Sequence, residues 1–126
     1  MIVGIGTDIV SIARVRTALD RHGEAFAERI LAEGEFAEFR SVRDGARLLA
    51  KRFAAKEAFA KAFGTGLREP ATLHAIAVEH DALGKPVFSF DRLLADTMHE
   101  RGWAAHLSIS DEKDHVVAFA LIESAR

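Results

Sequence analysis

Cysteine is absent from the 126 residues, which excludes disulfides, thiolate chemistry and any cysteine-based zinc site. A strong charge of either sign is also missing. The formal net charge is −2, which argues against a protein that coats nucleic acid. Six histidines are scattered along the chain, and none stands in HExxH or another tight metal spacing. There is no long hydrophobic run. Asp8 and then Arg14 interrupt the apolar N-terminal stretch far short of a membrane span, and no basic leader precedes it. These absences lead us to expect a cytoplasmic protein with no membrane partner. No Walker-type GxxxxGK[ST] is present, and no serine has a nucleophile-elbow context. Gly4-x-Gly6 falls short of a dinucleotide fingerprint, because Ile9 stands where the third glycine belongs and the glycines lie within a strand pattern. No repeat, low-complexity segment or linker divides the chain, so residues 1–126 are expected to form one domain with a modest core.

What is present is ordinary for a globular chain, 49% hydrophobic and 29% charged, apart from one stretch. Residues 45–63 read as a helix with Asp44 as its cap and Gly64 as its stop. Leu48, Ala55, Phe59, Ala62 and Phe63 fall on one face, while Ala50, Phe53, Ala54, Ala58 and Ala60 occupy the other. A helix apolar nearly all round should be buried nearly all round, yet Arg52, Lys56, Glu57 and Lys61 sit on it. Such charges must be paired or must face a ligand or metal.

Before this helix, residues 2–10 read as a buried strand whose glycines permit close approach of another backbone. Ser11 caps a helix to about residue 22, with Gly23 as its stop; two shorter helices follow at 24–31 and 33–42. Beyond it come a loop over 64–72, a strand at 73–79, a Gly84-Lys85-Pro86 turn, a strand at 87–90 and a helix at 92–100 capped by Asp91. Residues 104–110 and 115–123 alternate as a hairpin, with His106, Ser108 and Ser110 on one face. Because helices and strands do not alternate regularly, the fold class is α+β, with an antiparallel sheet.

Asp8 ends an apolar strand, where an Asp is commonly a turn or capping residue; Glu57 has Lys61 at i+4, a favourable helical ion pair. As a pair, two carboxylates on largely buried elements suit Mg²⁺, which takes one or two carboxylates and completes its shell with water and substrate phosphates. Cations at Lys56 or Lys61 fit a phosphate-bearing ligand. Arg14, Arg16 and Arg21 form either a solvated face or a docking surface for an acidic protein.

Gly4-Ile5-Gly6-Thr7-Asp8-Ile9-Val10 and the run from Arg52 to Gly66 (RFAAKEAFAKAFGTG) together closely resemble the holo-[acyl-carrier-protein] synthases, the short 4′-phosphopantetheinyl transferases. The segments at 26–31, 84–86 and 106–110, and the strand ending at Glu123, are similar to that family as well. The resemblance implies the 4′-phosphopantetheinyl transferase fold, with an antiparallel sheet packed against a long central helix. It implies Mg²⁺-dependent transfer of 4′-phosphopantetheine from coenzyme A to a serine of apo-acyl carrier protein, releasing adenosine 3′,5′-bisphosphate, a reaction of lipid and fatty acid biosynthesis. It further implies a homotrimer with active sites between subunits, which would account for a helix apolar on both sides. Asp8 and Glu57 match the metal-binding carboxylates, and Lys61 the lysine at the transferring phosphate. Arg52 and His106 match residues near the nucleotide and its 3′-phosphate; Gly64, Gly66, Lys85 and Pro86 match segments lining the nucleotide pocket. Arg14, and more loosely Arg21, match basic residues of the helix that receives the carrier protein. Asp111 stands where many relatives have His, and Ala32 where the family often has Thr, a change of local capping. The serine proton would pass to Glu57 or to a water on the metal, with Asp8 assisting. Two rival readings are a non-catalytic coenzyme A-binding oligomer on the same scaffold and a purely structural trimerising module. The intact Asp8, Glu57 and Lys61 argue against the first, and the charges on the buried helix against the second.

Overall fold

Two glycines determine how strand β1 (Ile2–Ser11) meets the longest helix, α4 (Gly45–Phe63). A Cβ on Gly4 would lie 2.0 Å from the carbonyl oxygen of Ala62, and one on Gly6 2.0 Å from that of Ala58. Strand backbone therefore rests directly on helix backbone, a contact no larger residue permits. The computed structural model describes residues 1–125. After β1 come α1 (Ile12–His22), α2 (Glu24–Ile30), a 3₁₀ turn (Glu33–Glu35), α3 (Phe36–Ser41) and α4. Strands β2 (Ile76–His80) and β3 (Pro86–Phe90), helix α5 (Arg92–Arg101), and strands β4 (Trp103–Asp111) and β5 (His115–Ser124) complete the described chain. The arrangement is α+β, as the pattern of elements predicts.

Strands β1, β5 and β4 form an antiparallel sheet in that order, and β2 pairs with β3 in a separate antiparallel ribbon. Opposite Gly4 and Gly6 on β5 stand Ile122 and Ala120, and these inward positions pack against α4. The β2–β3 ribbon docks on α4 through aromatic rings: Phe59 lies 5.2 Å from Phe88 and 4.9 Å from Phe90, centroid to centroid. Burying a ring of this size stabilises by roughly 1.5–3 kcal/mol. Both long-helix caps form as the residue types dictate. Asp44 accepts a hydrogen bond from the Arg47 N–H, and Gly64, at φ 102°, donates its N–H to Ala60. Ser11 and Asp91 cap α1 and α5 in the same way.

Four expectations change. Strand β1 is not buried on both faces: Ile5 is 60% and Ile9 66% exposed, because the sheet has helices on one side only. With Val117 and Phe119 of β5 they form an exposed apolar outer face. Conversely, α4 is enclosed by its own chain, since Ala50, Ala54, Ala58 and Ala60 are as fully buried as Phe59. Its two apolar sides therefore meet elements of one chain, not its own sheet and a neighbour. The segment 33–42 starts as a 3₁₀ turn, because the Glu35 side chain accepts the Ala32 N–H instead of facing water. The strand expected at 73–79 begins only at Ile76, since Thr72 first closes a turn through the N–H groups of Ala75 and Ile76. Among the described residues no helix is long and apolar enough to cross a membrane.

Candidate active site

Alternation along β1 points Asp8 inward with Gly4, Gly6 and Val10, toward α4. Lys61, on the last turn of α4, reaches across rather than along its helix. Its ammonium donates to the Thr7 carbonyl at 2.9 Å and to Asp8 Oδ1 at 3.3 Å. This replaces the i+4 pair with Glu57 that helical spacing allows. Asp8 does not cap the following helix, a task done by Ser11. Glu57 and Asp8 line one cleft of about 520 Å³, together with Arg14, Phe26, Arg29 and Phe53. Partial burial raises the Glu57 pKa, the negative charge of Asp8 raises it further, and Lys61 offsets part of the effect. Glu57, its charge disfavoured by burial and by Asp8, stands in a site that a cation would relieve.

The donor set fits Mg²⁺: two hard carboxylates, with room for substrate oxygens. Among the described residues, no group of three or more His, Cys, Asp or Glu converges as a protein-only cage.

Arg14, from the first turn of α1, lines the same cleft, whereas Arg21 is exposed on the last turn of that helix. Arg16, part of the same basic cluster in sequence, is tied to Asp44 at 3.1 Å. Gly64 and Gly66 follow α4 with positive φ, and Lys85 and Pro86 form the end of the β2–β3 turn. His106 is on the outer face of the hairpin, 3.0 Å from Glu123 across the strand pair, and does not enter the cleft. Arg52 is not brought to Asp8 and Glu57 either. Its guanidinium is buried, donating to Glu38 at 2.8 Å and lying 3.5 Å from Glu35. It also borders a second cleft of about 250 Å³ with Arg47, Lys51 and His80.

Glu35 and Glu38 are the residues that sequence reasoning missed. Glu35 accepts from Lys56 at 2.6 Å through Oε1 and from the Val78 N–H at 3.0 Å through Oε2. Lys56 is fully buried; desolvation lowers its pKa, and Glu35 opposes the shift. A signal was available: Arg52 and Lys56, four apart on a buried helix, require two acids, and Glu35 and Glu38 are spaced by one helical turn.

Residues 4–120 match the model of the family described as the 4′-phosphopantetheinyl transferase superfamily. The chain belongs to that superfamily. Within it, the chain is 64% identical to the holo-[acyl-carrier-protein] synthase of Azoarcus sp. (strain BH72), over 98% of this chain and 99% of that protein. The crystal structure of the holo-[acyl-carrier-protein] synthase from Neisseria meningitidis is 49% identical, with a TM-score of 0.94 over 98% of this chain and 100% of that one. A holo-(acyl-carrier-protein) synthase from Bacillus anthracis, solved in complex with CoA (3′,5′-ADP), is 37% identical, with a TM-score of 0.84 and 99% of each chain covered. This phosphopantetheinyl transferase chain therefore shares both the sequence and the architecture of the synthases along nearly its whole length.

Proposed function

We propose that the chain, as one domain of residues 1–126, is a holo-[acyl-carrier-protein] synthase. It transfers 4′-phosphopantetheine from coenzyme A to a serine of apo-acyl carrier protein in the cytoplasm. The observation that carries this reading is the meeting of Asp8 and Glu57 in one cleft, with the Lys61 ammonium 3.3 Å from Asp8. Asp8 and Glu57 are the residues that would hold Mg²⁺. When bound, the ion supplies positive charge against the pyrophosphate of coenzyme A and the leaving phosphate.

The serine oxygen forms a bond to the phosphorus that bears the pantetheine. The bond from that phosphorus to the oxygen of the nucleotide's phosphate breaks, and adenosine 3′,5′-bisphosphate leaves with the electron pair. Lys61, held by Thr7 and Asp8, keeps a positive charge where negative charge develops. Glu57, whose pKa is raised by burial and by Asp8, is suited to take the serine proton. Arg14 at the cleft and Arg21 farther along α1 receive the acidic carrier protein. Arg52, Gly64, Gly66, Lys85, Pro86 and His106 serve the nucleotide end of coenzyme A, with His106 acting from the outer sheet face. Neighbouring subunits of a homotrimer cover that face, where Ile5, Ile9, Val117 and Phe119 are exposed. Incubation with coenzyme A, Mg²⁺ and an apo-carrier protein should add the mass of phosphopantetheine to the carrier. No mass gain across several carriers refutes the reading, and full activity in both Asp8→Ala and Glu57→Ala refutes their assignment as the metal-binding carboxylates.

A further inference from the structure

The ammonium of Lys56 has three protons and three acceptors. It donates to Glu35 Oε1 at 2.6 Å, to the Ile30 carbonyl at 2.6 Å and to the Leu73 carbonyl at 2.9 Å. A buried ammonium is tolerated only when so satisfied. Ile30 ends α2 and Leu73 lies in the loop before β2, and both residues line the cleft that holds Asp8 and Glu57. Lys56 itself contacts neither carboxylate. It precedes Glu57 on α4, so one helix turn presents Glu57 to the cleft and anchors two of the cleft's walls from behind.

Two neighbouring contacts share this task. Glu35 holds the ammonium and takes the Ala32 and Val78 N–H groups, tying the turn after α2 to β2. His74 Nε2 meets the Glu28 carbonyl at 2.7 Å, a second link between the loop and α2. Without the ammonium, the Ile30 and Leu73 carbonyls lose their common donor, and nothing else in this set brings those two carbonyls to one point.

We propose that Lys56 is a positioning residue for substrate binding: it sets the spacing of the α2 wall and the pre-β2 wall of the cleft, without taking part in the chemistry. This rests on the cleft being the substrate site of the proposed transferase. Because the walls act on binding and Lys56 touches no reacting group, its loss should appear in KM rather than kcat.

The test is Lys56→Met, which keeps the length and removes the ammonium, assayed beside the wild type at a temperature where both are folded by circular dichroism. Wall disorder worth one tenfold step in affinity, about 1.4 kcal/mol, should raise the KM for coenzyme A about tenfold and change kcat less than about threefold. An unchanged KM in the folded variant overturns the proposal, as does a fall in kcat alone. If Lys56→Met does not fold, Glu35→Gln carries the test, with a smaller rise in the same KM expected and no rise overturning it. Amide hydrogen exchange gives a readout independent of activity. Residues 27–32 and 72–76 should exchange faster in Lys56→Met, while the β4–β5 ladder keeps its protection. A uniform loss of protection would mean global destabilisation and overturn the proposal. A wild type that transfers nothing refutes the transferase reading, and the exchange pattern then still decides whether Lys56 holds the walls.

Discussion

Replacing Gly6 by Ala should damage both stability and catalysis, because one methyl group falls between the two elements that carry the site. The added Cβ would meet the Ala58 carbonyl oxygen at 2.0 Å, the Ala62 nitrogen at 2.8 Å and the Lys61 Cβ at 2.9 Å. Two of these neighbours are backbone atoms of α4, so no rotamer change relieves the clash. Moving from 2.0 Å to the 3.4 Å at which ordinary contact begins requires β1 and α4 to separate by about 1.4 Å. Overpacking of a tight core costs about 1–3 kcal/mol, and a backbone-to-backbone clash lies at the upper end. At about 3 kcal/mol the melting temperature should fall by roughly 10 °C in calorimetry, and the midpoint of chemical denaturation should fall with an unchanged m-value. The separation also displaces Asp8, two residues along β1, from Glu57 and Lys61. A misplacement of about 1 Å can cost roughly a hundredfold in rate, so folded Gly6→Ala should lose about that much kcat/KM in the carrier-loading assay. A variant with wild-type stability and wild-type turnover would refute the packing argument, and one that is destabilised but fully active when folded would refute its link to the site.

Glu57→Gln should raise thermal stability at neutral pH without metal while abolishing transfer. The folded chain raises the Glu57 pKa, so this group favours folding below its unfolded pKa, and that contribution is lost as pH rises through the folded value. A neutral amide removes this loss, and a flatter stability profile over that range, read by differential scanning fluorimetry, checks the sign. Asp44→Ala should cost about 1 kcal/mol in denaturant titration, because it removes the cap of α4. The Arg47 N–H is the main cause holding the Asp44 pKa low, so the difference from wild type should be present at neutral pH and vanish as pH falls through the folded Asp44 pKa. Arg14→Glu should raise the KM for carrier protein much more than that for coenzyme A; equal effects would count against docking at α1.

Much of this molecule is determined locally and could be read from residue types alone. Ser11, Asp44 and Asp91 cap helices because a short side-chain acceptor satisfies free N–H groups at any helix start, and Gly64 ends α4 because it accepts positive φ. The alternation of the final hairpin placed His106, Ser108 and Ser110 on one outer face. Asp8, Glu57 and Lys61 were visible as charges out of keeping with their apolar surroundings, and family resemblance joined them. What sequence spacing does not contain is which distant charges meet. Only the folded chain sends Lys61 to Asp8 rather than to Glu57, and Lys56 to Glu35, Ile30 and Leu73. Those choices depend on the backbone contact at Gly4 and Gly6 and on where α2 ends. Likewise, an apolar strand reads the same whether one face or both are covered. Tertiary structure alone enclosed α4 within its own chain and left the outer face of β1 and β5 open, because burial is a property of what packs against a residue and not of the residue itself.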